Sequence, residues 1–274
     1  MAARSAGPAA TLDEADALRL LRFGDFELEG RLVDASNTTL RGFLTLDGVT
    51  VRCVYKPVRG ERPLWDFPDG TLAGRETAAY LVSRATGWDL VPPTVLRDGP
   101  LGPGVCQLWI EEPDEASPLV GFVPADELPD GWFRVAAARD ETGRPYLLAH
   151  ADDPRLARMA LLDAVLNNAD RKGGHVLVGP GDRVYGVDHG VCFHVEDKLR
   201  TVLWGWIDAP LPEQDVPTLS RLVSDLGGAL GERLTAHLTA GEVTAAATRA
   251  RRLLAAGRFP PPSGDWPAVP WPPM

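Results

Sequence analysis

Between positions 49 and 56 the side chains alternate, Val49, Val51, Cys53 and Tyr55 on one face and Thr50, Arg52, Val54 and Lys56 on the other, which predicts a strand that Pro57 ends. Strand-like runs at 26–33 and 40–46 precede it. The polar turn 34–39 between them offers hydroxyls and backbone amides that suit folding over phosphates as well as an ordinary turn. Ahead of these, 1–10 reads as a flexible leader, and Thr11-Leu12-Asp13-Glu14 is a capping-box pattern opening a short amphipathic helix that Gly24 stops. After a polar, proline-containing loop at 59–71 the period becomes helical over 74–86, with Gly87 as the stop. Ala78, Leu81, Val82 and Ala85 form its apolar stripe. Glu76 lies on the other side with Ala79, Tyr80 and Ser83, so it is either exposed or aimed at a closely approaching element. Val91-Pro92-Pro93 leads into another strand, and 105–110 reads as a buried strand ending at Glu111-Glu112-Pro113-Asp114.

There the chain changes from strands to helices, which divides it into a leader and short helix (1–24), a sheet-rich part (25–110), a helix-rich part (111–258) and a Pro/Trp-rich tail (259–274). A cleft between the two large parts is the natural site for a planar base, with the backbone of 108–111 supplying hydrogen bonds. Residues 118–144 read as irregular. Helices are expected at 154–166, 217–228, 230–238 and 242–256, the last stopped by Gly257, and the tail reads as an extended segment on the surface or as disordered. Short strands at 176–178 and 183–187 flank Gly179-Pro180-Gly181-Asp182, so an antiparallel hairpin puts His175 beside Asp188, with Asp170 upstream on the same rim. Three readings fit that cluster: a solvated hairpin with turn-capping Asp residues, a metal-dependent hydrolase, or a phosphoryl-transfer site. The last needs a lysine on a strand and a helix acid to hold it.

Composition narrows the partners. The net charge is −10 without a Lys/Arg-rich run, which argues against nucleic acid and against stable association with an anionic membrane. Of 28 basic residues only Lys56, Lys172 and Lys198 are lysine, an arginine bias that, with abundant Ala, Gly and Pro, suggests a GC-rich bacterial genome. Where arginine is the default cation, a lysine points to a place that wants a compact ammonium. Cys53, Cys106 and Cys192 are odd in number and set among apolar residues, which suits buried thiols in a reducing compartment. No apolar run approaches a membrane span and 1–10 lacks a signal peptide's apolar region, so a soluble, cytoplasmic protein is expected.

Val54-Tyr55-Lys56-Pro57, Val91-Pro92-Pro93-Thr94, Gln107-Leu108-Trp109-Ile110-Glu111, Asn168-Ala169-Asp170-Arg171, Val187-Asp188-His189-Gly190-Val191-Cys192-Phe193 and Trp204-Gly205-Trp206 occur in the order seen in phosphatidylinositol 3- and 4-kinase-like enzymes. The chain resembles type II phosphatidylinositol 4-kinases most, and HipA-like bacterial protein kinases more distantly, over roughly 26–211. The resemblance implies a two-lobed α+β protein-kinase-like fold, with an antiparallel sheet plus one helix in the N-terminal lobe and a mainly helical C-terminal lobe. It implies that Lys56 contacts nucleotide phosphates, that Glu76 pairs with it, and that Gln107, Leu108, Trp109, Ile110 and Glu111 form the hinge for adenine. Asp170 then orients the acceptor hydroxyl, Lys172 stabilises the transferred group, and Asp188 is the principal metal ligand.

Two departures stand out. His175 occupies the place of the usual Asn metal ligand, and imidazole suits Mn²⁺ better than Mg²⁺. The loop 59–71 lacks the cysteines through which type II lipid kinases attach to membranes. The expectation is therefore an ATP-dependent kinase using Mg²⁺ or Mn²⁺ on a hydroxyl of a soluble protein or of a small polyol or sugar-like metabolite. The alternatives are a nucleotide-binding pseudokinase acting as a regulatory module, and a metal-dependent hydrolase built from Asp170, His175 and Asp188.

Overall fold

The computed structural model describes residues 12–32 and 37–274. The leader 1–10, Thr11 of the capping-box pattern and residues 34–36 of the polar turn lie outside the described residues. Helix α1 (Glu14–Phe23) is capped by Asp13, whose carboxylate accepts from the Asp16 amide at 2.8 Å. Five antiparallel strands follow, β1 (Asp25–Arg31), β2 (Leu40–Leu46), β3 (Val49–Pro57), β4 (Thr94–Gly99) and β5 (Gly102–Leu108), in the order β1-β2-β3-β5-β4. The alternation along β3 holds: Val51, Cys53 and Tyr55 are buried, the first two in a small core with Leu20, Leu21, Val95 and Cys106, while Val54 and Lys56 face the opposite side. Strand β5 ends at Leu108 rather than at 110, with one more bond in the same register, from the Trp109 amide to Arg52 O at 3.0 Å, just beyond it. Cys53, Cys106 and Cys192 are buried and unpaired.

Helix α2 (Leu72–Thr86) begins two residues before the predicted start. Thr71 accepts from the Gly74 amide at 2.9 Å, and the Glu61 carboxylate accepts from Leu72 and Ala73 at 3.0 and 2.8 Å. Free helical amides attract such oxygens, so the polar loop supplies the start that periodicity misses. The expected stripe is also corrected. From Ala73 to Tyr80 the helix is buried on every side, between β4 and β5 and the helical part, whereas Leu81 and Ala85 are only half-buried. An acid off the stripe is therefore enclosed rather than solvated.

The stretch expected to be irregular, 118–144, holds two strands, β6 (Val120–Pro124) and β7 (Trp132–Arg139), which form a three-stranded sheet with β8 (Pro145–Ala151) just beyond it, in the order β6-β8-β7. Its pattern is obscured because β7 has no buried residue and slips register between Arg134 and Ala136. Helix α3 (Pro154–Leu166) has the predicted bounds and runs through the main core. The hairpin of β9 (Val176–Gly179) and β10 (Arg183–Gly186) pairs Val176 with Gly186. Helices α4 (Val216–Leu226), α5 (Ala229–Leu234) and α6 (Ala240–Ala256) follow. The tail lies over the helical part without helix or strand of its own: Ala268 O accepts from Thr201 N at 3.0 Å and Pro273 O from Gly173 N at 2.8 Å. Among the described residues no helix is long and apolar enough to cross a membrane.

Candidate active site

A cleft of about 470 Å³ opens between the five-stranded sheet with α2 and the helical part. Lys56, Glu76, Gln107, Leu108, Trp109, Ile110, Glu111, Asp170, Lys172, His175 and Asp188 all line it. Lys56 reaches down from β3, where its ammonium bonds the Glu76 carboxylate and meets Asp188 Oδ1 at 2.9 Å. Glu76 is 3% exposed, whereas the Asp188 side chain is 53% exposed toward the opening. Burial alone would lower the pKa of Lys56, but Asp188 and Glu76 outweigh it and hold the ammonium above its ordinary value. Beside Lys56, the Asp188 carboxyl falls well below the usual carboxylate range, whereas burial raises that of Glu76 against the pull of Lys56.

Asp188 follows β10 with φ 61°, a left-handed conformation that Asp tolerates better than most residues. Its Oδ2 lies 3.4 Å from His175 Nε2, the neighbourhood that the hairpin reading predicts. Burial lowers the His175 pKa to about 4, so the imidazole is neutral at neutral pH, and its shielded Nδ1 has no hydrogen-bond partner among the described residues. A carboxylate and a neutral imidazole facing an open cleft form a two-ligand set that fits a divalent ion, with phosphate and water to complete it. Among the described residues no group of three or more His, Cys, Asp or Glu gathers as a closed metal site.

Asp170 lies across from this pair, with Lys172 Nζ 3.4 Å from its Oδ2. Burial raises the Asp170 pKa, opposed by Lys172 and reinforced by Asp188. Along the expected hinge, Leu108 donates its amide to Pro93 O at 2.9 Å and Trp109 is tied to Arg52, while Ile110 and Glu111 keep their amides free among the described residues. The hydrogen bonds expected from 108–111 are therefore narrowed on the donor side, because two of the four amides are spent on the sheet. The Gln107 side chain is likewise committed, donating to Thr94 Oγ1 at 2.8 Å, and the Glu111 carboxylate pairs with Arg52.

The pattern missed the groups that hold these loops. Arg171 and Asp163 are fully buried and joined twice, Nε to Oδ2 at 2.8 Å and Nη2 to Oδ1 at 2.9 Å. Arg171 also donates to Val187 O at 3.0 Å and His175 O at 3.2 Å, the residue before Asp188 and the imidazole's own backbone. It donates to His189 Nε2 at 2.7 Å, which leaves that ring's proton on Nδ1. Asn168 completes the hub by donating to Asp163 at 3.0 Å and accepting from the Asp170 amide at 3.0 Å. One buried carboxylate thus fixes Asp170, His175 and Asp188 together. Its signal was a lone acid in the otherwise apolar run 159–166.

No family model matches the chain. It is 49% identical to Protein Rv2133c of Mycobacterium tuberculosis, over 97% of this chain and 98% of that protein. Among solved structures it is similar to the Golgi casein kinase with Mn/ADP bound, at 16% identity and a TM-score of 0.55, over 89% of this chain and 75% of that one. It is also similar to hydra Fam20 with sugar, at 15% identity and a TM-score of 0.54, over 93% and 91% of the two chains. These likenesses give a kinase-like α+β fold. They do not confirm the resemblance to phosphatidylinositol 3- and 4-kinases.

Proposed function

The chain belongs to the family of the mycobacterial Protein Rv2133c, and on that premise, together with its kinase-like fold, we propose that it is an ATP-dependent phosphotransferase acting on a hydroxyl. The observation that carries this reading is the meeting of Lys56 from the sheet with Glu76 and Asp188, across a nucleotide-sized cleft that Asp170 and Lys172 also line. A hydrolase built from Asp170, His175 and Asp188 has no use for an ammonium held between two carboxylates.

The amides of Ile110 and Glu111 meet the base, and the Lys56 ammonium, fixed by Glu76, meets the phosphates. Asp188 and His175 would hold a divalent ion, Mg²⁺ or Mn²⁺, a reading that the Mn/ADP in the Golgi casein kinase structure supports. When bound, the ion neutralises charge on the phosphates. Asp170 accepts the hydrogen bond of the acceptor hydroxyl and orients its oxygen in line with the terminal phosphorus. Its raised pKa makes it a better proton acceptor than an ordinary aspartate, and Lys172 balances the charge of the group in flight. Little covalent chemistry is asked of the protein, since positioning and charge balance supply most of the rate.

The test is release of ADP from labelled ATP, with mass spectrometry of extract hydroxyl compounds and of the protein itself. Lys56→Met and Asp170→Asn are each expected to lower transfer by about 10² or more. Turnover untouched by Lys56→Met would favour the hydrolase. Nucleotide binding without transfer to any acceptor would make the chain a nucleotide-binding regulatory module.

A further inference from the structure

Arg200 runs beside Asp170 in the backbone: its amide donates to Asn168 O at 2.9 Å, and its carbonyl accepts from Arg171 N at 3.0 Å. Its side chain is half-buried, its Nε is shielded from solvent without a hydrogen-bond partner, and no carboxylate among the described residues lies within 4.0 Å of it. Lys172 also neighbours Asp170, at 3.4 Å, and among the described residues pairs with no other acid. Other buried cations are matched by acids, as Arg171 is by Asp163, Arg75 by Glu242 at 2.5 Å, and Lys198 by Asp66 at 3.3 Å. Arg249 also has an idle nitrogen, but it is bound by the carbonyls of Val165 and His194. In a chain of net charge −10, two under-matched cations around one carboxylate are a place where a ligand supplies the missing anion.

Resting on the phosphotransferase reading, we propose that Arg200 and Lys172 form an anion subsite on the acceptor side of Asp170, so that the acceptor is a small alcohol carrying its own phosphate. A planar guanidinium suits a phosphate, whose oxygens accept from it in pairs. The tail narrows the place, with Pro273 O held on Gly173 and Ala268 O on Thr201, next to Lys172 and Arg200 in the chain. That favours a small molecule over a peptide. The same phosphate chemistry occurs on free polyol phosphates and on lipid headgroups, and the test separates them.

The experiment measures binding of glycerol 3-phosphate, glucose 6-phosphate and inositol 1-phosphate against glycerol, glucose and inositol, with and without Mn²⁺ and ADP. Vesicles of phosphatidylcholine with phosphatidylglycerol form the lipid arm, and nucleotide affinity is read separately. At least one phosphate compound, or the vesicles, binds about ten-fold or more tightly than its neutral parent or pure phosphatidylcholine. Arg200→Gln removes that preference and Arg200→Lys keeps part of it, with folding checked by circular dichroism. Equal binding of phosphates and parents, or a preference that survives Arg200→Gln, overturns the subsite. So does a loss confined to nucleotide affinity, which would put Arg200 on the nucleotide, and an acidic peptide binding better than every small phosphate would overturn the choice of a small ligand. If the protein binds no nucleotide, the phosphotransferase reading falls, while the nucleotide-free titrations still decide whether the anion subsite exists.

Discussion

Asp163 carries more of the proposed site than any residue that touches the cleft, because Arg171 and Asn168 pass its position on to Asp170, His175 and Asp188. Asp163→Asn leaves a guanidinium buried without its countercharge, and the expected cost is about 3–5 kcal/mol in chemical denaturation. A loss below about 1 kcal/mol would show that the hub does not hold the loops. His175→Asn tests the metal instead: an oxygen ligand in place of imidazole is expected to raise the transfer rate with Mg²⁺ relative to Mn²⁺. An unchanged ratio would remove His175 from the metal site. Lys56 was legible from strand alternation and from the rarity of lysine, and His175 beside Asp188 from turn chemistry. The burial of Glu76 was not, because helical periodicity records one apolar face and α2 is enclosed on several.

Strands β2, β3 and β5, with buried positions, were readable, and so was β1, which has none; β7 is equally unburied and slips register between Arg134 and Ala136, and its stretch reads as irregular. The tail shows the same limit, since proline-rich extended chain has no period although its contacts are specific. Its clearest anchor is Trp266, whose ring lies 4.3 Å from the buried Lys198 ammonium, near the segment that follows Asp188. Trp266→Ala is expected to cost roughly 1–2 kcal/mol and to speed hydrogen exchange of the Thr201 amide, which Ala268 accepts, while α3 stays protected. Unchanged exchange at Thr201 would show that the tail lies there without holding anything.

The sheet order illustrates what a single sequence leaves open, for β5 inserts between β3 and β4, and nothing in the strand patterns selects that over sequential pairing. Across the molecule all five histidines are held neutral, each with a pKa below its ordinary value, chiefly through burial. The unfolded chain therefore binds more protons than the folded one below about pH 6.5, so stability falls as pH drops through that value. Asp170 and Glu76, raised by burial, act in the opposite sense closer to pH 4. A urea midpoint lower at pH 5.5 than at pH 7.5 is expected, and an equal or higher one would contradict the burial of these rings. Lys56 and Asp188 are expected to face a metal–nucleotide across the cleft, and calorimetric titration of a non-hydrolysable ATP analogue measures that binding. One site per chain, dependent on Mn²⁺ or Mg²⁺ and weakened about ten-fold or more by Asp188→Asn, is the predicted result. Absence of binding, or binding indifferent both to the metal and to Asp188→Asn, would contradict it.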